Sequence, residues 1–379
     1  MAVFRLLLLV IALWPLGWAM EQSGPAAVGD EDPQQYLKNI QREAAEYRLE
    51  RSHSEADSDA EEAARRGLGL AQAAFDDALW RRAANIAHST FRRQRYIATT
   101  QTLGDLKRLE ILAQAKRKRI SDVRQELTRL WFYFPDYQNL GVVMEVALVL
   151  AEETQAFTTQ IDLDAEQPQE VVRIDGSGYL GEITNLFRFL STYGDRVTTG
   201  ARADLGLARA ELLGGNPKDL SPARFAYNDF IQRHPRHPLV FEALCELALS
   251  HLVTYRGKLY DIGALINAAQ IVEQAELVAG SDPQKAALVA KYRGRIRSWQ
   301  QDRDLSVARW YRDRSRPAWL AWLKEPSGYN WDNPARFYYQ EVIRRDGASN
   351  QARIAARELA ALPPSERDPF RADLLPTRQ

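Results

Sequence analysis

The segment FIQRHPRHPLVF, from Phe230 to Phe241, sets His234 and His237 three residues apart, each directly before a proline. Two close imidazoles could ligate a metal or carry a proton. A helical ligand pair, however, wants i, i+4 spacing and a third ligand. The other histidines, His53, His88 and His251, have no acidic partner motif around them. Proline disfavours helix in the residue before it and is tolerated in the first turn after it. His234 and His237 are therefore expected in a tight turn between two helices, with no metal bound.

A second candidate is GSGYLG, which matches G-x-G-x-x-G at Gly176, Gly178 and Gly181, with Asp195 further along. A dinucleotide fingerprint needs a parallel sheet and a second strand to carry the acid. The stretch after Tyr193, GDRVTTGARADLGLARAELL, reads as helix instead. The glycines are expected to form a turn leading into a helix, with no cofactor. The adjacent acids Asp76-Asp77 and Glu152-Glu153 lie in helical stretches and point in different directions, as solvated surfaces do. Cys245, the lone cysteine, sits inside the apolar run FEALCELALSHL and reads as a small buried hydrophobe. No nucleophile with a base, acid pair in a cleft, or metal cluster emerges. The expectation is a protein with no catalytic, cofactor-binding or metal-ligating residues, which is not an enzyme.

The elements around these residues are helical. Of 379 residues, 45% are hydrophobic and 26% charged, and the 50 basic and 50 acidic side chains balance. Zero net charge argues against bulk nucleic-acid affinity. The basic run AKRKR has acids interleaved nearby and reads as a solvated helix face. From Leu68, the run LAQAAFDDALWRRAANIAHSTFRRQRY places Leu70, Ala73, Ala74, Leu79, Ala83, Ala87 and Phe91 on one helix face. Further on, SPARFAYNDFIQRHP reads as an amphipathic helix with Pro222 in its first turn and Phe225, Phe230 and Ile231 near one side. Units of helix, turn and helix recur at roughly 35–45 residues, the signature of a helical solenoid. Such a pair cannot bury its apolar face alone, so neighbouring pairs stack and share a core.

The expected fold is all-α: a right-handed solenoid of antiparallel helix pairs like a tetratricopeptide-repeat (TPR) array. A small irregular or hairpin insertion is expected at 158–180, because TTQIDLDAEQPQEVVRID holds two β-prone pieces around Glu166-Gln167-Pro168. The N-terminal MAVFRLLLLVIALWPLGWAM reads as a signal peptide over 1–19, with Arg5, an apolar run from Leu6 to Leu13, and Gly17-Trp18-Ala19 before the cut. The apolar run is shorter than the ~20 residues of a spanning helix. A charged linker and polar helix are expected over 20–66, helical repeats over 67–157 and 181–362, and a flexible tail over 363–379.

Four segments carry a family resemblance: FIQRHPRHPLVFEALCELALSHL, YRGKLYDIGALINAAQIVEQ, RDLSVARWYRDRS and ARFYYQEVIRRDGASNQARIAARELAAL, in that order. Together they resemble the outer-membrane assembly lipoprotein family BamD and its wider TPR relatives. Matching features are the aromatic helix end before a proline turn, Tyr260-Asp261, the helix from Asp304 to Tyr311, and the unit from Ala335 to Asp346. The resemblance covers Gly181–Leu362, and Leu68–Phe157 more loosely. It implies a non-catalytic, protein-binding scaffold of the bacterial cell envelope acting in outer-membrane protein assembly, with β-barrel assembly components as partners and no nucleic acid. A general periplasmic TPR adaptor for peptidoglycan or secretion complexes is the alternative. No cysteine follows the signal for lipid attachment, so the expected location is the periplasm, at most peripheral to the outer membrane.

The chain also departs from the family at RPAWLAWLKEPSGYNWDNP, which carries Trp319, Trp322, Tyr329 and Trp331 between the last two units. Two readings stand. The rings cap the last groove of the solenoid, or they anchor a partner, since Trp and Tyr are enriched among binding hot spots. Arg314, Arg316 and Lys324 would form the polar rim.

Overall fold

The computed structural model describes residues 33–54, 57–165, 170–174, 180–214, 219–257, 262–314 and 331–363. These residues form fourteen helices and one short hairpin. The proposed signal peptide, Gly176, Gly178, Tyr260-Asp261, Trp319, Trp322, Tyr329 and the tail from 364 lie outside them. No helix among the described residues is long and apolar enough to cross a membrane.

The first helices are α1 (Pro33–Ser52), α2 (Ser58–Asp76), α3 (Trp80–Gln94), α4 (Thr100–Lys116), α5 (Ile120–Tyr133) and α6 (Leu140–Thr158). The strands β1 (Thr159–Ile161) and β2 (Val172–Ile174) pair antiparallel, Gln160 opposite Arg173, within the segment expected to hold a hairpin. Then come α7 (Leu180–Tyr193), α8 (Thr199–Gly214), α9 (Ser221–Arg233), α10 (Val240–Thr254), α11 (Gly263–Ala279), α12 (Pro283–Arg314), α13 (Asp332–Arg345) and α14 (Asn350–Ala360).

From α2 to α14 successive helices pack on one another, and several also touch the helix two places along. That is how a solenoid buries faces that no single pair could cover. One apolar core runs through α2 to α7 around Leu103, Leu106, Leu127, Leu130 and Phe187. A second joins α8 to the first half of α12 around Tyr227, Phe230, Leu249 and Trp299. A third holds the second half of α12 against α13 and α14 around Tyr339 and Val342. The 32-residue α12 thus belongs to two cores. Gly104 and Gly206 let aromatic rings approach a helix backbone closely. A Cβ at Gly104 or Gly206 would run into the rings of Tyr137 and Phe187.

The helix α1 skips its neighbours and lies on α5. The Tyr47 ring stacks on Tyr133 with centroids 4.8 Å apart, its hydroxyl donates to the Arg95 carbonyl at 2.6 Å, and Arg51 donates to the Ala98 carbonyl at 2.6 Å.

The helical run from Leu68 differs from the sequence expectation in its continuity. It is two helices, because the chain reverses at Ala78 with φ 59°. The turn closes by Leu79 N–H donating to the Ala74 carbonyl at 2.8 Å, a Schellman-type bond. The same turn recurs after α4, with Lys118 at φ 56° and Arg119 N–H donating to the Gln114 carbonyl at 3.1 Å. The AKRKR run is therefore the end of α4 and this turn, rather than a continuous helix face. Left-handed backbone costs a non-glycine residue about 1–2 kcal/mol, so neither residue type announces the break. Leu70 and Leu79 are exposed, while Ala74, Ala83, Ala87 and Phe91 are buried. Phe225, expected near the buried side of α9, points outward instead; Ala223, Tyr227 and Phe230 form the buried face.

The two segments PARFAYNDFIQR and PARFYYQEVIRR adopt the same arrangement. Tyr227 on α9 is fully buried and donates to Glu246 on α10 at 3.0 Å; Tyr339 on α13 donates to Glu358 on α14 at 2.8 Å, each pair 19 residues apart. Each carboxylate also takes an arginine from an earlier helix, Arg209 for Glu246 and Arg309 with Arg312 for Glu358. The tyrosine hydroxyl and guanidinium together satisfy a glutamate that would otherwise be costly between packed helices.

Candidate functional site

Among the described residues, those singled out by spacing fall into ordinary structural positions. His234 caps α9, its backbone N–H donating to the Phe230 carbonyl at 2.9 Å. Its Nε2 lies 3.1 Å from Asp204 Oδ2. His237 Nδ1 accepts from the Leu239 N–H at 3.2 Å, just before α10. The two rings are 6.3 Å apart and edge-on, and both lie against the buried Phe230. Each imidazole thus serves the turn it sits in. Cys245 is buried in α10; burial, then the nearby Glu246, pushes its thiol up to about 12, so no thiolate nucleophile is present at neutral pH.

Gly181 lies in the first turn of α7, and Asp195 caps the start of α8, accepting from the Thr198 backbone N–H at 3.1 Å and hydroxyl at 2.8 Å. That acid faces a helix start, and β1 and β2 are antiparallel, so the nearby geometry is not that of a nucleotide crevice. Glu152 is not simply solvated. It pairs with Arg202 of α8 at 2.6 Å, and Arg202 also binds Glu145, tying α6 to α8.

Sequence spacing missed the most charged interior position. No acidic motif surrounds His88 in the chain, yet its Nδ1 lies 2.8 Å from Glu110, 22 residues along on a neighbouring helix. Glu110 and Glu126, on α4 and α5, are both buried. Their ligating oxygens and the His88 nitrogen lie within 4.8 Å of one another, as a metal centre would require. Lys107 Nζ already stands there, 2.9 Å from Glu110 and in direct contact with Glu126, with Phe91 beneath it at 4.4 Å. Arg129 completes the set at 2.6 Å from Glu126. The chain thus supplies its own cation where an ion would sit. Burial pushes the Glu110 carboxyl up, but the His88 hydrogen bond and the Lys107 charge outweigh it and hold the carboxyl below its usual range. Lys107, Glu110 and Glu126 are buried while the His88 side chain is 42% exposed, so the cluster is a tie between α3, α4 and α5 that opens to solvent through His88. The signal in sequence was weak: Lys107, Glu110 and Glu126 look like surface residues until α3 and α5 close over them.

An outward-facing site lies where α12 meets α13. Of the four aromatics expected to act together, Trp331 is described. It is half-buried at the start of α13, its ring 5.9 Å from Tyr311 in a stacked arrangement and edge-on to Trp310 at 6.3 Å. Tyr311 stacks in turn on Tyr338 at 5.9 Å. The Arg314 guanidinium lies 4.0 Å over Trp310 and 5.5 Å over Trp331. Trp310 stays 44% exposed and Phe337 37%. Phe225 occupies the place of Phe337 in the earlier unit and is 75% exposed. The surface therefore carries aromatic rings held firm by stacking and by a cation over their faces. Neither a family model nor a curated protein matches this chain.

Proposed function

We propose that the chain is a non-catalytic, protein-binding scaffold of the bacterial cell envelope. In this reading it is exported, works in the periplasm, and takes part in outer-membrane protein assembly as its resemblance to the BamD family implies. The observation that carries the reading is the aromatic surface at α12 and α13, with Phe337 exposed there and Phe225 exposed at the matching place of α9. A residue serving only the core would be buried at both. Rigid, amphipathic Trp and Tyr rings lose little side-chain freedom on binding and are preferred at hot spots. The buried ionisable groups support the same reading, since they are matched to each other across helices.

The test is affinity capture from envelope fractions with the full chain and with Trp310→Ala/Phe337→Ala. The reading expects β-barrel assembly components with the wild-type chain and at least a several-fold loss with the variant, at unchanged helical content. Capture that the double change leaves untouched would remove the aromatic surface from the function. Capture of peptidoglycan or secretion components in place of assembly components would move the scaffold to another envelope complex.

A further inference from the structure

At the opposite part of the array, the two Schellman-type turns sit side by side and open into a cleft of about 1240 Å³. Leu79, Trp80 and Ile86 line its apolar strip, and Arg81, Arg82, Arg117 and Arg119 its polar side. Arg117 donates to Gln114 of its own helix at 2.9 Å, and Arg119 lies 3.6 Å from Asp122. Arg81 and Arg82 are exposed and have no ion-pair or hydrogen-bond partner among the described residues. Lys116 and Lys118 neighbour Arg117 and Arg119 in the chain; the acids nearest in sequence are Asp76, which accepts from Gln72, and Asp77 before α3, and Asp122, which pairs with Arg119, in α5.

The placement of Arg81 and Arg82 runs against helix electrostatics. A helix start carries partial positive charge and orphan N–H groups, and acids or capping side chains normally answer it. The starts of α3 and α5 have no side-chain cap bond; α3 has no acid in its first turn, whereas α5 has Asp122 there. Arg81 and Arg82 occupy that turn, and Lys118 and Arg119 immediately precede α5. At α3 folding stability alone would favour acids, whereas Lys116 and Arg117 suit the C-terminal end of α4 and Asp122 already answers Arg119 at the start of α5. An anionic partner resolves the conflict, because the arginines and the helix starts then act on one ligand.

We propose that this cleft binds an acidic peptide segment of a partner protein, with an aromatic or aliphatic side chain of that segment against Trp80, Leu79 and Ile86. Its volume exceeds the ~300–1,000 Å³ of ordinary small-molecule sites, which suits a stretch of polypeptide. The mixed lining suits a peptide better than a bare polyanion, since half of a nucleic-acid or headgroup contact would face no charge. The site is separate from the aromatic surface of α12 and α13 and does not depend on it.

The experiment is fluorescence anisotropy on the full chain with a labelled probe of alternating Glu and Asp around one Phe. Saturable binding that falls as salt rises is expected, since exposed charges carry it. Arg81→Glu/Arg82→Glu should weaken binding about tenfold or more through like-charge repulsion. The same change should leave melting unchanged or raise it, because acids suit the first turn of α3. Trp80→Ala should weaken the Phe probe more than an all-acidic one. Absence of saturable probe binding would overturn the assignment, as would binding that the arginine changes leave untouched. It would also be overturned if anionic-lipid vesicles or a single-stranded oligonucleotide bound as tightly as the probe, with the same dependence on Arg81 and Arg82.

Discussion

Replacing Lys107 by methionine tests whether the interior charge cluster is a structural tie. Methionine keeps much of the stem and removes the ammonium that lies 2.9 Å from Glu110 and against Glu126. Glu110 then retains only His88, and Glu126 only Arg129. Removing one partner of a buried ion pair costs about 3–5 kcal/mol, and 4 kcal/mol is about a thousandfold in an opening constant. In a stacked array this loss stays near its origin. The assay is native-state hydrogen exchange, with faster opening expected in α3, α4 and α5 and little change in α13 and α14. In the wild-type chain Glu110 is held below its ordinary value near 4.5, so its contribution is complete above that value and is lost as pH falls through the depressed one. Without Lys107 its charge and its hydrogen bond no longer hold the carboxyl down, so the carboxyl rises. The cost of the variant is therefore largest at neutral pH and shrinks on acidification. Lys107→Met/Glu110→Gln/Glu126→Gln leaves far less unpaired charge and should recover most of the loss. A penalty under about 1 kcal/mol, or one independent of pH, would refute the electrostatic account.

Three more outcomes rest on the same packing. Phe230→Ala removes a ring that is 1% exposed and should cost about 3–5 kcal/mol in urea unfolding, whereas His234→Gln/His237→Gln should cost about 1–2 kcal/mol. Gly206→Ala drives a methyl group into the buried Phe187 ring and should cost about 1–3 kcal/mol, read as a lower melting temperature. Burial, then Arg224, pushes His251 down to about 4 from 6.5, so the unfolded chain binds its proton first; that stability is present above pH 6.5 and lost progressively toward pH 4, and His251→Gln should flatten the slope in this window.

The sequence by itself determined the helical class, the hairpin segment and several of the helix–helix turns. Apolar residues at three- and four-residue steps admit one helical face, and the prolines at 222, 235 and 238 mark the ends of α9 and the approach to α10. The turn position of the histidine pair and the burial of Cys245 were legible for the same local reason. Tertiary structure decided what local pattern does not encode. Ala78 and Lys118 turn left-handed without glycine, because packing of the succeeding helices offsets a local cost. Phe225 and Phe230 share a helix, yet which of them is buried depends on where α10 and the preceding helices lie. Lys107, Glu110 and Glu126 read as solvated charges at their positions in the chain. They become one neutralised cluster only when three helices close on them, since the attraction between charges depends on distance in space and on exclusion of water, neither of which residue order specifies.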